Sequence, residues 1–339
     1  MTAGAQDGFF APAEEAPHAG TWMCWPSTQA IYGQDIAYFE EVQRCLGRLA
    51  GAIAEQEPVT LLVPAAQQAL ARRLCGPRVT LLDAPTDDMW ARDSGPIFLK
   101  AADGRRALLN LNFNGWGGKE RHALDAQVAP TIAKALNRPL IPSPLVGEGG
   151  GIEFDGEGTL LLTESCWLND NRNPGMTRAD MEAALKAGLG VERIIWLPGV
   201  AGQDITDGHI DGSIRFVRPG LLMTSGLPDD RSDWGRVLED SKAILAKTRD
   251  ARGRAFEILE VPSATEHRSA RADFFTGYAN FYVGNGAVYT PQFGDRNADA
   301  LAVESLGRLF PGRRVVALDV DRIYENGGGI HCVTQQEPV

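Results

Sequence analysis

Long apolar runs are missing from this chain. Nothing in it approaches the roughly 18 residues needed to span a bilayer, so no membrane-spanning segment is expected. The N-terminus, MTAGAQDGFFAPAEEAPHAG, lacks a basic stretch followed by an apolar one, and no secretory signal is read there. Positive charge is in deficit: 33 Lys and Arg stand against 44 Asp and Glu, a formal net charge of −11. Without a basic field to displace phosphate counterions, a nucleic-acid partner is not expected. Cysteine is sparse. Cys24, Cys45, Cys75, Cys166 and Cys332 are odd in number and none is spaced as a metal-ligand pair, which argues against a disulfide framework or a zinc site. A cytoplasmic protein with mostly buried, inert thiols is the expectation. Linkers, charge runs and low-complexity tracts are absent too. With 44% hydrophobic and 23% charged residues the chain is not a disordered one, and its 339 residues can bury a large core.

What the chain does have is repetition. Gly151–Gly158 runs into Thr159–Thr163, Ser213–Gly220 into Leu221–Thr224, and Asn280–Gly286 into Ala287–Thr290. A looser copy joins Pro96–Leu99 to Ala107–Asn110 through Asp103-Gly104. Each reads as strand, turn, strand, with Asp-Gly, Pro-Gly or Asn-Gly supplying the turn. A further apolar run precedes each hairpin: Val79–Leu82, Pro139–Ile141, Arg193–Trp196, Phe256–Leu259 and Arg314–Leu318, the last leading into a strand expected over Gly328–Thr334. Between copies, helical spacing of apolar residues marks Ile36–Ala54, Leu124–Leu136, Met181–Leu189, Trp234–Thr248 and Ala298–Phe310, with Thr177 and Asp180 as a helix start. The unit of strand, loop, hairpin and helix occurs about five times at ~65 residues each, and such units bury their faces by stacking. The expectation is a single α/β domain over residues 1–339 with quasi-fivefold symmetry, rather than two domains or an open doubly wound sheet.

The chemically capable residues share one phase of this repeat, the loop between lone strand and hairpin. They are Asp93 in WARDSGP, Glu148 in GEGGG, His209 and Asp211 in TDGHIDG, and Cys332 in GGGIHC. Taken singly, each has a plainer explanation: an ion pair, a turn residue, a structural histidine, a buried small hydrophobe. A shared phase in a closed repeat points them all into one central site. His331 adjoins Cys332, but successive strand residues face opposite sides, so His331 is read as structural and His209 as the partner of the thiol. Trp90 and Trp116 are core or rim residues by default, and cation–π walls for a charged substrate in the sharper reading.

A cysteine with a histidine suggests nucleophilic catalysis. Three carboxylates beside them would repel a developing oxyanion; they make sense around a cationic electrophile. A guanidinium matches carboxylates bidentately. Asp93 and Asp211 would clamp it, and its charge would favour the Cys332 thiolate.

Here the sequence resembles the agmatine deiminase family of the pentein, or guanidino-group-modifying, superfamily. The likeness runs nearly end to end, through Pro12-Ala13-Glu14 with His18, WMCWP at 22–26, DMWARDSGP at 88–96, NFNGWGGK at 112–119, Glu148-Gly149-Gly150, NDNRNP at 169–174, TDGHID at 206–211 and GGIHCVTQQ at 328–336. It implies a five-bladed α/β propeller, no cofactor and no metal, and hydrolysis of agmatine to N-carbamoylputrescine and ammonia in putrescine and polyamine synthesis. It places the nucleophile on Cys332, the acid/base on His209, the guanidinium-binding acids on Asp93 and Asp211, and the histidine-pairing carboxylate on Glu148. Departures from the family pattern are Glu15, where Trp is usual, and Gly329 directly before Ile330, where many members insert Asn.

The partner expected is a small cationic guanidino compound, with no nucleic acid and no membrane; a homodimer is left open. The alternative within the enzyme class is a deiminase for another guanidino compound or for peptidyl-arginine. Asp87, Asp88 and Asp207 are candidates for the ammonium end of agmatine. A catalytically silent propeller used for binding is the rival of a different class, against which the retained Cys332, His209, Asp93, Asp211 and Glu148 weigh.

Overall fold

A computed structural model describes residues 8–271 and 274–339. The first seven residues of the N-terminal segment inspected for a signal lie outside them. Among the described residues, no helix is long and apolar enough to cross a membrane.

Among the described residues, the strands form five separate sheets of three or four strands. In one, Ile152–Phe154 pairs antiparallel with Thr159–Thr163 across a tight turn, the chain crosses over through helix Arg178–Leu189, and Arg193–Leu197 returns parallel to Thr159–Thr163. Ile214–Arg218, Leu221–Thr224 and Glu257–Glu260 repeat the pattern around helix Asp233–Lys247. Tyr282–Val283, Ala287–Pro291 and Arg314–Leu318 repeat it around helix Arg296–Leu309. Ile97–Ala101, Arg106–Asn110 and Leu140–Pro142 do so around Val128–Leu136, with Phe9–Phe10 added at the edge.

The fifth sheet is built from both ends of the chain. Gln335–Pro338 runs antiparallel to His18–Cys24, which continues through parallel Val59–Val63 and Thr80–Asp83. Helix Ile36–Ile53, started by the Asp35 carboxylate accepting from the N–H groups of Ala37 and Tyr38, forms the crossover.

The repeat and its helices are therefore as the periodicity predicts, but two expectations need correction. Each lone strand pairs with the hairpin before it and not the one after, because the helix crossover returns the chain parallel to the strand it left. The loops with the chemical residues thus lead from one sheet to the next. The second correction concerns Gly328–Thr334, which is a turn; the strand begins only at Gln335.

The helix start at Thr177 holds in detail. Thr177 Oγ1 accepts from the Asp180 N–H at 3.2 Å while the Asp180 carboxylate accepts from the Thr177 N–H at 3.3 Å, a capping box of the kind worth about 1 kcal/mol. Apolar faces of helix and sheet meet in buried clusters. In the largest, Leu46 and Leu49 pack with Leu61, Tyr289 and Phe293, all fully buried. In another, Leu160 and Leu162 meet Met181, Leu185 and Trp167.

Candidate active site

Every loop that joins one sheet to the next delivers a polar side chain to one region. Asp93 sits in the single helical turn Ala91–Ser94. Glu148 precedes the turn Gly149–Gly151, and His209 the turn Ile210–Gly212 that carries Asp211. Cys332 lies just before Gln335–Pro338. All five cysteines are free; four are buried and Cys332 alone is partly exposed.

Gly150 shows how tightly these loops converge. A Cβ on it would lie 2.7 Å from His209 Nδ1, 2.8 Å from Asp93 Oδ1 and 3.1 Å from Asp211 Oδ2. Only hydrogen fits between three functional groups at such distances. The Gly150 N–H donates to Asp93 Oδ1 at 3.0 Å. His209 Nδ1 is 3.8 Å from the same oxygen, and His209 Nε2 is 3.3 Å from Glu148 Oε2. Cys332 Sγ lies 3.5 Å from Asp211 Oδ2. Cysteine, histidine and all three acids of the sequence-predicted set are therefore brought together.

Trp116 belongs to the same site. Its indole N–H donates to Asp93 Oδ2 at 2.9 Å. It adopts φ 54°, ψ 47° between Gly115 and Gly117, themselves at φ 70° and 85°. A left-handed tryptophan costs about 1–3 kcal/mol, and here that backbone turns the indole onto a buried acid. Trp90 stands further back. Its N–H donates to Asp88 Oδ2 at 2.9 Å, and its ring lies against Gly328, where a Cβ would come within 2.4 Å. Of the acids considered for a substrate ammonium, Asp87 pairs with Arg121 and Asp207 with Lys119 and Arg172. Asp88 accepts from Trp90, Tyr32 and the Met89 N–H.

Several neighbours escaped the sequence reading. Asn280 Oδ1 accepts the His331 N–H at 3.0 Å, and its Nδ2 lies 3.3 Å from Cys332 Sγ. It occupies the inter-sheet loop left empty in the phase pattern, so the repeat held the signal. Arg172 Nε lies 2.8 and 2.9 Å from the two oxygens of Glu148. Cys166 Sγ is 3.6 Å from Glu148 Oε2; it comes from the helical turn Glu164–Trp167, off the repeat phase, and no sequence signal marks it. Glu148, Cys166 and His209 each bring one metal-capable atom within 4.8 Å of the others. The Arg172 guanidinium on Glu148 makes that corner unfavourable for a second cation.

His331 requires a correction. Because residues 330–333 form a turn and not a strand, alternation does not separate its side chain from that of Cys332. His331 Nδ1 reaches Asp211 Oδ2 at 2.7 Å, the same oxygen that Cys332 approaches.

Charge on these groups follows from burial and neighbours. Burial pushes the Cys332 thiol well above its ordinary range, reinforced by the negative charges of Asp211 and Asp93. Burial alone would favour neutral His209, but the Asp93 and Glu148 carboxylates outweigh it and raise the ring well above its ordinary range. Asp93 is raised, first by burial and then by Asp211 and Glu148, against the pull of His209. Glu148 is lowered: His209 and Arg172 overcome its burial. Acids facing a thiol that resists ionisation form surroundings that would favour a cation.

The five sheets, with a thiol, an imidazole and three acids meeting at the loops between them, define a pentein-fold protein with a cysteine–histidine site. The 0.53 TM-score to DDAH of Pseudomonas aeruginosa, at 15% identity over 94% of this chain and 99% of that one, reflects the fold alone. Residues 10–338 match the Porphyromonas-type peptidyl-arginine deiminase family, and the chain belongs to it. A Streptomyces coelicolor relative, provisionally named an agmatine deiminase, is 41% identical over 97% of this chain and 99% of its own. The solved agmatine deiminase of Enterococcus faecalis superposes with a TM-score of 0.92 at 30% identity, covering 100% of this chain and 98% of that one.

Proposed function

We propose that this protein hydrolyses the guanidinium of agmatine, giving N-carbamoylputrescine and ammonia, in the supply of putrescine and polyamines. The observation that carries the proposal is the convergence on Gly150: Asp93, Asp211 and His209 surround one small volume, with the Cys332 sulfur beside Asp211. Two acids from separate loops suit a planar cation. Names borne by relatives over their full length, from Streptomyces coelicolor and Enterococcus faecalis, support agmatine as that cation.

In the proposed reaction the guanidinium enters between Asp93 and Asp211. Its positive charge offsets the acids that oppose ionisation of Cys332, and the thiol proton leaves to solvent. The thiolate forms a C–S bond to the guanidinium carbon. His209, held protonated by Asp93 and Glu148, gives its proton to the departing nitrogen as the C–N bond breaks and ammonia leaves. The enzyme then carries an S-alkylthiouronium. Neutral His209 takes a proton from water as its oxygen adds to the carbon; the C–S bond then breaks, the remaining hydroxyl proton passes to the departing sulfur to restore the thiol, and the neutral ureido product is released. General acid–base help of this kind is worth about 10²–10⁴-fold. Trp116, fixed to Asp93, and Trp90 behind it would line the approach. No cofactor or metal enters this scheme.

The finer reading of the architecture is a single five-bladed α/β propeller over residues 1–339, supported by the five repeated sheets and by the pairing of the two chain ends in one of them. A cytoplasmic location is part of the proposal, and a homodimer is the assembly to test by sedimentation. The deciding measurement incubates the protein with agmatine, free arginine, an arginyl peptide and guanidinobutyrate and quantifies ureido product. Agmatine is expected to dominate, and Cys332→Ser to abolish product. Preference for the arginyl peptide would replace the substrate assignment, and full ammonia release by Cys332→Ser would remove the nucleophile.

A further inference from the structure

Behind Asp211 lies a buried chain of charges that the reaction above does not use. His331, 1% exposed, stands between two carboxylates. Its Nδ1 is 2.7 Å from Asp211 Oδ2 and its Nε2 is 2.8 Å from Glu14 Oε2. Glu14 is braced in turn: Oε2 accepts from Arg215 Nη2 at 2.8 Å and faces Arg92 Nη2 at 3.5 Å, and Oε1 accepts the Val283 N–H at 3.0 Å. Arg215 is paired on its far side with Glu153. Glu14 belongs to the N-terminal segment and His331 to the turn bearing Cys332, so this chain of contacts ties the two ends of the polypeptide to the site.

An ionised carboxylate only accepts hydrogen bonds. Burial alone would push Glu14 up, but Arg215, His331 and Arg92 bring it well below the ordinary carboxylate range. Asp211 follows the same pattern, with His331 the first group to outweigh its burial, then His209 and Arg215. His331 thus bridges the two acids, one ring nitrogen to each.

We propose that Glu14 and His331 are positioning residues: His331, in contact with Asp211 and braced from behind by Glu14, fixes the Asp211 carboxylate before a substrate arrives. The proposal rests on the deiminase reading above, in which Asp211 is one jaw of the guanidinium clamp. The other jaw shows the contrast. Asp93 faces its histidine only at 3.8 Å, and Asp211 and Glu148 oppose its ionisation. Of the two acids, Asp211 is thus the pre-charged anchor, and its oxygen is also the one beside the Cys332 sulfur.

Two measurements test this. Nitrogen-15 NMR of histidine-labelled protein, with the His331 signals identified by their loss in His331→Asn, is expected to show those signals shifted in Glu14→Gln; His331 signals unchanged by loss of the Glu14 carboxylate would overturn the proposal. This readout needs no turnover, so it stands apart from whether agmatine is the substrate, which the wild-type assay decides by itself. In the second, His331→Asn keeps a donor toward Asp211 but removes the reach to Glu14, and Glu14→Gln removes the charge of the brace while keeping its shape. Both are expected to raise KM for agmatine by about tenfold or more, as misplacement of a binding group does. They should change kcat less and move the acid limb of kcat/KM to higher pH. Variants that lose only thermal stability, with KM and acid limb unchanged, would show His331 to be a structural residue and end the proposal.

Discussion

Arg172 closes on Glu148 with one nitrogen against both carboxylate oxygens, at 2.8 and 2.9 Å, and both side chains are fully buried. Neither charge has water to fall back on. Removing one partner of a buried pair costs up to about 3–5 kcal/mol; without Arg172, Glu148 would be left buried with His209 as its cationic neighbour. Arg172→Gln is accordingly expected to lower the unfolding midpoint strongly. Arg172→Lys should rescue it only in part, since an ammonium cannot reproduce the guanidinium fork. Denaturant titration checks this; equal stability of all three proteins would show the pair to be dispensable.

Gly150→Ala tests the convergence of the loops with a single methyl group. The atoms it would meet first are the ends of His209 and Asp93, at 2.7 and 2.8 Å. These tips can move aside, so the fold should survive with little change in melting temperature. The displaced groups should cost about 10²-fold in kcat/KM for agmatine, the scale on which ångström-sized misplacements act. Near-normal turnover by this variant would mean that the three groups need not meet.

Cys332 makes a prediction whose sign is easily mistaken. Its thiol is pushed up by burial first and by Asp211 next, so in substrate-free protein alkylation by iodoacetamide is expected to be slow at neutral pH and to quicken as pH rises past the ordinary thiol range. Replacing Asp211 by Asn removes a like charge. The alkylation midpoint should then move to lower pH, and Cys332 should label faster even though guanidinium binding is impaired. Mass mapping of the adduct checks the site, and slower labelling in Asp211→Asn would contradict the electrostatic account.

Stability should vary with pH through a second acidic group. Burial, then Asp88, raise Asp125 from 3.8 to about 8, and burial raises Asp88 to about 6. The folded protein therefore keeps protons that the unfolded chain releases near its ordinary value. Between about pH 4 and 8 the native state binds more protons, so its stability falls as pH rises through that window. Asp125→Asn cannot ionise and should flatten this slope. Thermal melts across the window give the comparison; parallel slopes for wild type and variant would refute it.

The repeat made much of the architecture legible in the sequence, because hairpin turns and helical periods are local. Helix Ile36–Ile53 and the capped start at Thr177 follow from residues a few positions apart. Pairing between strands is not local. The sequence gives no way to tell that Arg193–Leu197 joins the strand before its helix and not the one after, since either neighbour would bury it. The site was legible where the phase of the repeat could be read, in Asp93, Glu148, His209, Asp211 and Cys332. Asn280 held the same phase and was overlooked because an amide has no chemistry that attracts notice. Glu14 was visible only as part of a motif, and Arg172 and Cys166 depend on contacts across sheets. His331 was misjudged for a physical reason: side-chain alternation belongs to extended backbone, and the turn at 330–333 does not obey it.

The fifth sheet joins Gln335–Pro338 to His18–Cys24, and the reactive sulfur precedes that junction by three residues. Pairing of these two strands, far apart in the sequence, therefore brings the Cys332 sulfur to its place beside Asp211. Assembly of the thiol with the acids is then a consequence of one long-range strand contact rather than of folding any one segment.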